Sequence, residues 1–71
     1  MSKADTMFEE LGYRLEESKS NIFIIDDIEN IAITIHKLSK LVRFYKMTIT
    51  KEELKAINEK VKELGWLDEN I

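Results

Sequence analysis

The chain has 71 residues, no cysteine, no proline and only two glycines, Gly12 and Gly65. That length makes one domain, 1–71, with a small core, and the absence of cysteine excludes disulfides and thiolate metal sites as reinforcement. A net charge of −3, with 35% charged and 44% hydrophobic residues, is a globular rather than a disordered composition.

In chain order, Met1-Ser2-Lys3-Ala4-Asp5 lacks the apolar core of a signal peptide, and residues 1–5 read as a disordered start. No later run approaches membrane-spanning length, so a cytoplasmic protein with no membrane partner is expected. Asp5 or Thr6 can cap a short helix, and Thr6 with Glu9 has capping-box spacing. Met7, Phe8 and Leu11 give that helix an apolar side. Gly12 can end it in a left-handed turn, with Tyr13 folded back.

Strand chemistry follows. Tyr13–Glu16 alternates apolar and polar, Asn21–Ile28 is rich in isoleucine, Ile31–His36 alternates, and Leu41–Ile49 is again β-rich. Turn residues separate these runs at Ser18–Asn21, Asp26–Asn30 and Lys37–Lys40. A turn centred on Leu38-Ser39 places Ile35 opposite Val42 and Ile33 opposite Phe44 on a core face. The other face then pairs Thr34 with Arg43 and Ala32 with Tyr45. A five-residue turn at Asp26–Asn30 places Ile25 opposite Ile31 and Phe23 opposite Ile33. Ile22 and Ile24 are left on the opposite face, beside Ala32, Tyr45 and Leu41, as an apolar patch. Three covers fit it, the N-terminal helix, a second copy of the chain or a target protein, and the remaining alternative is a wrong register.

The last element carries the clearest signals. Thr50 and Glu53 form a capping box, and Ile49 and Leu54 a hydrophobic staple. Leu54, Ile57, Val61 and Leu64 fall within a stripe roughly 80° wide at about 100° per residue. Gly65 stops the helix and Trp66 folds back on it. A helix from Lys51 to Leu64 is expected, with residues 67–71 as a frayed tail. The fold class is therefore α+β: a short N-terminal helix, a four-stranded antiparallel meander and a long C-terminal helix on one sheet face.

No constellation of residues favours catalysis. His36 is the only histidine, with no acid nearer in sequence than Glu29, so it makes neither a triad nor a zinc site. Asp26, Asp27 and Glu29 lack the alternating oxygen ligands and central glycine of a calcium loop and read as a solvated turn. The pairs Glu9/Glu10 and Glu16/Glu17 carry no sign of the burial that acid–base work needs. Neither glycine belongs to a phosphate loop. No enzyme, metal, cofactor or small-molecule ligand is expected.

Charge is unevenly spread. Between Asn30 and Lys51 lie Lys37, Lys40, Arg43, Lys46 and Lys51 and no acid, a net of +5. The other six basic residues face all fourteen acids, a net of −8. Basic residues beside Phe44 and Tyr45 fit three roles: guarding an edge strand, attracting an acidic protein, or weakly binding single-stranded nucleic acid. The candidate binding residues are Ile22, Ile24, Tyr45, Lys40, Arg43 and Lys46.

Taken together, Met7–Tyr13, the isoleucine-rich strands, Ile49–Ile57 and Glu63–Trp66 resemble a group of small uncharacterised proteins encoded by phages and prophage-like elements of Gram-positive bacteria. The resemblance implies a bacterial cytoplasm and an accessory role, such as modulating a host or phage protein. It assigns no site residue. The expected function is a non-enzymatic interaction module with a protein partner or self-association as a homodimer. The alternative is weak single-stranded nucleic-acid binding through residues 40–46.

Overall fold

The computed structural model describes residues 2–68. The elements are α1 (Lys3–Glu10), β1 (Arg14–Glu17), β2 (Asn21–Ile25), β3 (Ile31–His36), β4 (Leu41–Phe44) and α2 (Lys51–Glu63), then a 3-10 turn at Trp66–Asp68. The strands form one antiparallel sheet in the order β1-β2-β3-β4. This is the expected α+β meander with a closing helix. The last strand is shorter than its β-rich run and stops at Phe44 rather than continuing toward Ile49.

The chain start departs from expectation. Residues 3–5 are helical, not disordered, because two acceptors reach the first amides of α1. The Ser2 hydroxyl accepts from the Asp5 N–H at 3.0 Å, and the Glu63 carboxylate of α2 accepts from the Ala4 N–H at 3.0 Å. Those are donors that a helix has no internal partner for. Thr6 consequently lies inside the helix, its hydroxyl donating to the Ser2 carbonyl, and the Thr6–Glu9 box is not used. Of the frayed tail expected at 67–71, Leu67 and Asp68 belong to the 3-10 turn; residues 69–71, like Met1, lie outside the described residues.

Both glycines serve as helix stops. Gly12 has φ 93° and Gly65 has φ 83°. At the first, the Tyr13 N–H reaches the Phe8 carbonyl and the Gly12 N–H the Glu9 carbonyl, each at 3.0 Å, which is a Schellman closure. Tyr13 folds back to meet Phe8 edge-on, with ring centroids 6.2 Å apart. At the second, the Gly65 N–H reaches the Lys62 carbonyl at 3.0 Å.

A one-residue bulge sets the faces of the sheet. Ile25 pairs with Ile31, as the Asp26–Asn30 turn requires, but Ile24 pairs with Ile33 and Ile22 with Ile35. Ala32 is the additional residue on β3. Beyond it every β2 side chain changes face. Ile22 and Ile24 are 1% and 0% exposed in the core, and Phe23 pairs with Thr34 on the outer face. The expected outer patch is therefore not formed. The bulge places Ile22 and Ile24, rather than Phe23 and Ile25, on the helix side. Alanine, the smallest side chain of β3, sits at the crowded position.

Both helices lie on the Ile22/Ile24/Ile33/Ile35 face. Phe8 of α1 and Ala56, Ile57 and Val61 of α2 complete that core. α1 therefore does not cover the other side of the sheet. On α2 the capping box is made in both directions. The buried residues, however, are Glu53, Ala56, Ile57, Lys60 and Val61, while Leu54 is exposed. The buried arc is turned about 50° from the apolar stripe. That turn brings two charged residues, seven positions apart, to the inner side of α2.

Two expectations follow. Added Cβ atoms at Gly12 and Gly65 would meet nothing within 4 Å, so any cost of substitution comes from φ alone. Gly65→Ala is expected to lower unfolding free energy by about 1 kcal/mol, whereas D-alanine there should be neutral or stabilising; equal losses from both would contradict a left-handed stop. Ile24→Ala is expected to cost about 2–5 kcal/mol in denaturant melts and Phe23→Ala clearly less. The reverse order would place Phe23 in the core.

Candidate functional site

The sheet face opposite the helices carries Glu16, Phe23, Thr34 and Arg43 in one cross-strand row and Asn21, His36 and Leu41 in the next. Leu41 is 59% exposed on this face, and Tyr45, one residue past β4, is 56% exposed. Phe44, on the helix-facing side, is also exposed because β4 is the last strand and nothing follows it in the sheet. Apolar surface therefore gathers along the free edge of β4. Two polar atoms of β3, Thr34 Oγ1 and His36 Nε2, are buried on this outer side without a hydrogen-bond partner among the described residues. Such atoms are uncommon and costly, and they mark the centre of the face as incompletely satisfied.

The expected site residues separate into three groups. Ile22 and Ile24 belong to the core and contribute no surface. Lys40, Arg43 and Tyr45 are exposed at or beside β4. Arg43 lies opposite Thr34, and its guanidinium makes no hydrogen bond or ion pair among the described residues. Lys40 closes the β3–β4 turn, its N–H donating to the His36 carbonyl at 2.9 Å in a left-handed conformation with φ 58°.

Lys46 is drawn inward. Its ammonium binds the Glu53 carboxylate, donates to the Tyr13 hydroxyl at 3.0 Å and lies 5.7 Å from the Tyr13 ring centroid. The Tyr13 hydroxyl donates to the same Glu53 oxygen. The other Glu53 oxygen accepts from the Thr50 N–H at 2.9 Å. Glu53 therefore joins the stop of α1, the loop after β4 and the cap of α2. Burial raises the pKa of its carboxyl, but hydrogen bonds from Lys46, Tyr13 and the Thr50 N–H outweigh it and hold the value at about 2. The Glu53 hydrogen bond, then that of Tyr13, correspondingly raises the pKa of Lys46. Neither group is left to meet a ligand.

Lys60 forms the matching anchor at the other end of α2. It is buried and binds Asp5 at 2.9 Å, with Glu63 at 3.6 Å. Burial opposes ionisation of Asp5, and the Lys60 hydrogen bond and charge overcome it, lowering its pKa. Sequence reasoning missed both anchors. The available signal was their shared side, since Glu53 and Lys60 stand two turns apart beside Ala56 and Ile57.

Surface depressions lie elsewhere. The larger, about 500 Å³, runs between the helices past Lys3, Met7, Lys55 and Lys62. A smaller one lies beside Met7, Leu11 and Glu52, and a third beside Glu9, Tyr13 and Arg14. None of the three contains His36, a serine or a threonine. Among the described residues no group of three or more acidic or histidine side chains is arranged to hold a metal ion, and no helix is long and apolar enough to cross a membrane. Comparison with protein-family models, curated proteins and solved structures finds no match for this chain.

Acid stability tests the Glu53 anchor. A carboxyl whose folded pKa lies below its unfolded value stabilises fully above the unfolded value, near 4.5, and loses that contribution as pH falls toward 2. Glu53→Gln is expected to lower stability at neutral pH by on the order of 2 kcal/mol and to flatten the decline between those limits. Urea melts across that range check this, and an unchanged acid slope in the variant would contradict it.

Proposed function

We propose that the chain is a small non-enzymatic protein-interaction module that binds through the open sheet face and the β4 edge. The observation that carries this is the exposure of Leu41, Phe44 and Tyr45 beside unpaired Arg43, while both helices are committed to the other face. Exposed apolar residues next to an unpaired cation suit a protein surface better than bulk water. Depressions without nucleophile–base pairs favour binding over catalysis. The resemblance to small phage and prophage-encoded proteins adds an accessory role in a bacterial cytoplasm. The partner is then a host or phage protein, or a second copy of the chain.

Retention from a bacterial lysate tests the surface when wild type is compared with variants. Partners held by the wild type and by the control Leu54→Ser should be lost by Leu41→Ser/Tyr45→Ser. A set of partners indifferent to the double variant would remove the open face from the account. Sedimentation over a wide concentration range reports self-association, which the same double variant should abolish.

Single-stranded nucleic acid remains a second reading, favoured by Tyr45 standing exposed beside Arg43 as a stacking platform. It requires affinity for an oligonucleotide at low salt that falls steeply as salt rises.

A further inference from the structure

We propose that the free edge of β4 takes up an extended segment of another protein, one with an acidic residue flanked by apolar residues, as a fifth strand of the sheet. The proposal rests on the interaction role above and names the kind of partner.

The first element is backbone. The Tyr45 N–H donates to the Ala32 carbonyl at 2.9 Å, so residues of odd number on this stretch direct their backbone groups toward β3. Antiparallel strands alternate, and Val42 and Phe44 therefore direct theirs away from the sheet. β4 ends the strand order, so these groups form a ladder ready for an added strand.

The second element is side-chain chemistry, which differs on the two sides of that edge. Toward the open face stand Arg43 and Leu41, with Tyr45 just beyond. Toward the helices stand half-buried Val42 and exposed Phe44. An added strand beside β4 presents its own side chains alternately to these two sides. Beside Arg43 a carboxylate is favoured, and beside Val42 and Phe44 an apolar residue is favoured. Leu41 and Tyr45 flank Arg43 on the open side, so the pattern of the partner is one acidic residue opposite Arg43 with apolar residues on either side.

The third element is the surrounding charge. The segment from Asn30 to Lys51 contains five basic residues and no acid, in a chain that is acidic overall. Lys37 is held by Glu17 at 2.7 Å and Lys46 by Glu53, whereas the Arg43 guanidinium of β4 has no partner among the described residues. The same field disfavours β4 of a second copy, which would bring another Arg43 and Lys40 alongside. The other edge, β1, is acidic, but Glu16 is paired with Arg14 at 3.0 Å and Glu17 with Lys37. Pairing β1 of one copy with β4 of the next would cost those contacts and would build an open array.

The test uses the full isotope-labelled chain and synthetic peptides that set a glutamate between valine or isoleucine residues. Lysine versions of the same peptides and a single-stranded oligonucleotide serve as competing probes. The glutamate peptides are expected to slow amide hydrogen exchange at Val42 and Phe44 by about tenfold or more. Arg43→Gln should weaken this response, and Arg43→Glu should transfer it to the lysine peptides. Absence of a response, an equal response to the lysine peptides, protection at β1, or a response only to the oligonucleotide would overturn the proposal. So would protection of the same amides without peptide as protein concentration rises, which would identify a second copy as the occupant. If lysate partners still depend on Leu41 and Tyr45 while no peptide protects Val42 and Phe44, strand addition fails and the interaction role stands. If those partners are also indifferent to the double variant, both fail.

Discussion

The additional residue at Ala32 governs which side of this sheet is core. A strand has a side-chain period of two, so one inserted residue exchanges inside for outside along the remaining pairing. Because of it, Ile22 and Ile24 meet Ile35 and Ile33 beneath the two helices, and Phe23 and Thr34 face outward. Without the bulge Phe23 and Ile25 would take the helix side, and Ile22 and Ile24 the other. The composition of the open face, and hence any role for it, follows from this single step in the ladder.

The helices are oriented by a second constraint. α2 buries Glu53 in its first turn and Lys60 near its end, where each charge also suits the helix dipole. Each takes its partners from a different segment. Glu53 holds Tyr13 and Lys46, while Lys60 holds Asp5, and Glu63 caps the amide of Ala4. The start of α1 thus lies at the end of α2, and the end of α1 lies at its beginning. Apolar packing alone is indifferent to small rotations of α2; the two ion sites select the rotation that buries them with partners. A 71-residue chain without disulfides gains specificity in this way from side chains that look like ordinary surface charge.

Elements with local causes were legible in the sequence. The Thr50–Glu53 box, the left-handed stops at Gly12 and Gly65, and the β3–β4 register from Ile33/Phe44 to His36/Leu41 all depend on neighbours a few residues away. What escaped depended on distant partners. The α1 cap uses Glu63, the rotation of α2 uses Tyr13, Lys46 and Asp5, and the bulge depends on what lies beneath the sheet. One anomaly did point to the bulge: an uninterrupted register stranded Ile22 and Ile24 outside. Of the candidate binding residues, Arg43, Tyr45 and Lys40 reach the surface because they follow the correctly registered hairpin. Ile22 and Ile24 fail because they precede the bulge. Lys46 fails because a loop returns it to Glu53.

The open face and the β4 edge are therefore consequences of register rather than of composition. Among the described residues neither the Arg43 guanidinium nor the Thr34 hydroxyl beneath it has a partner, in the middle of a face that neither helix reaches. The most direct measurement is a set of nuclear Overhauser contacts across β2 and β3 in the isotope-labelled chain. The account predicts contacts that pair Ile24 with Ile33 and Ile22 with Ile35, with the Ile24 side chain close to the helix residues of the core. Contacts that pair Phe23 with Ile33, with Ile22 and Ile24 facing solvent, would contradict it.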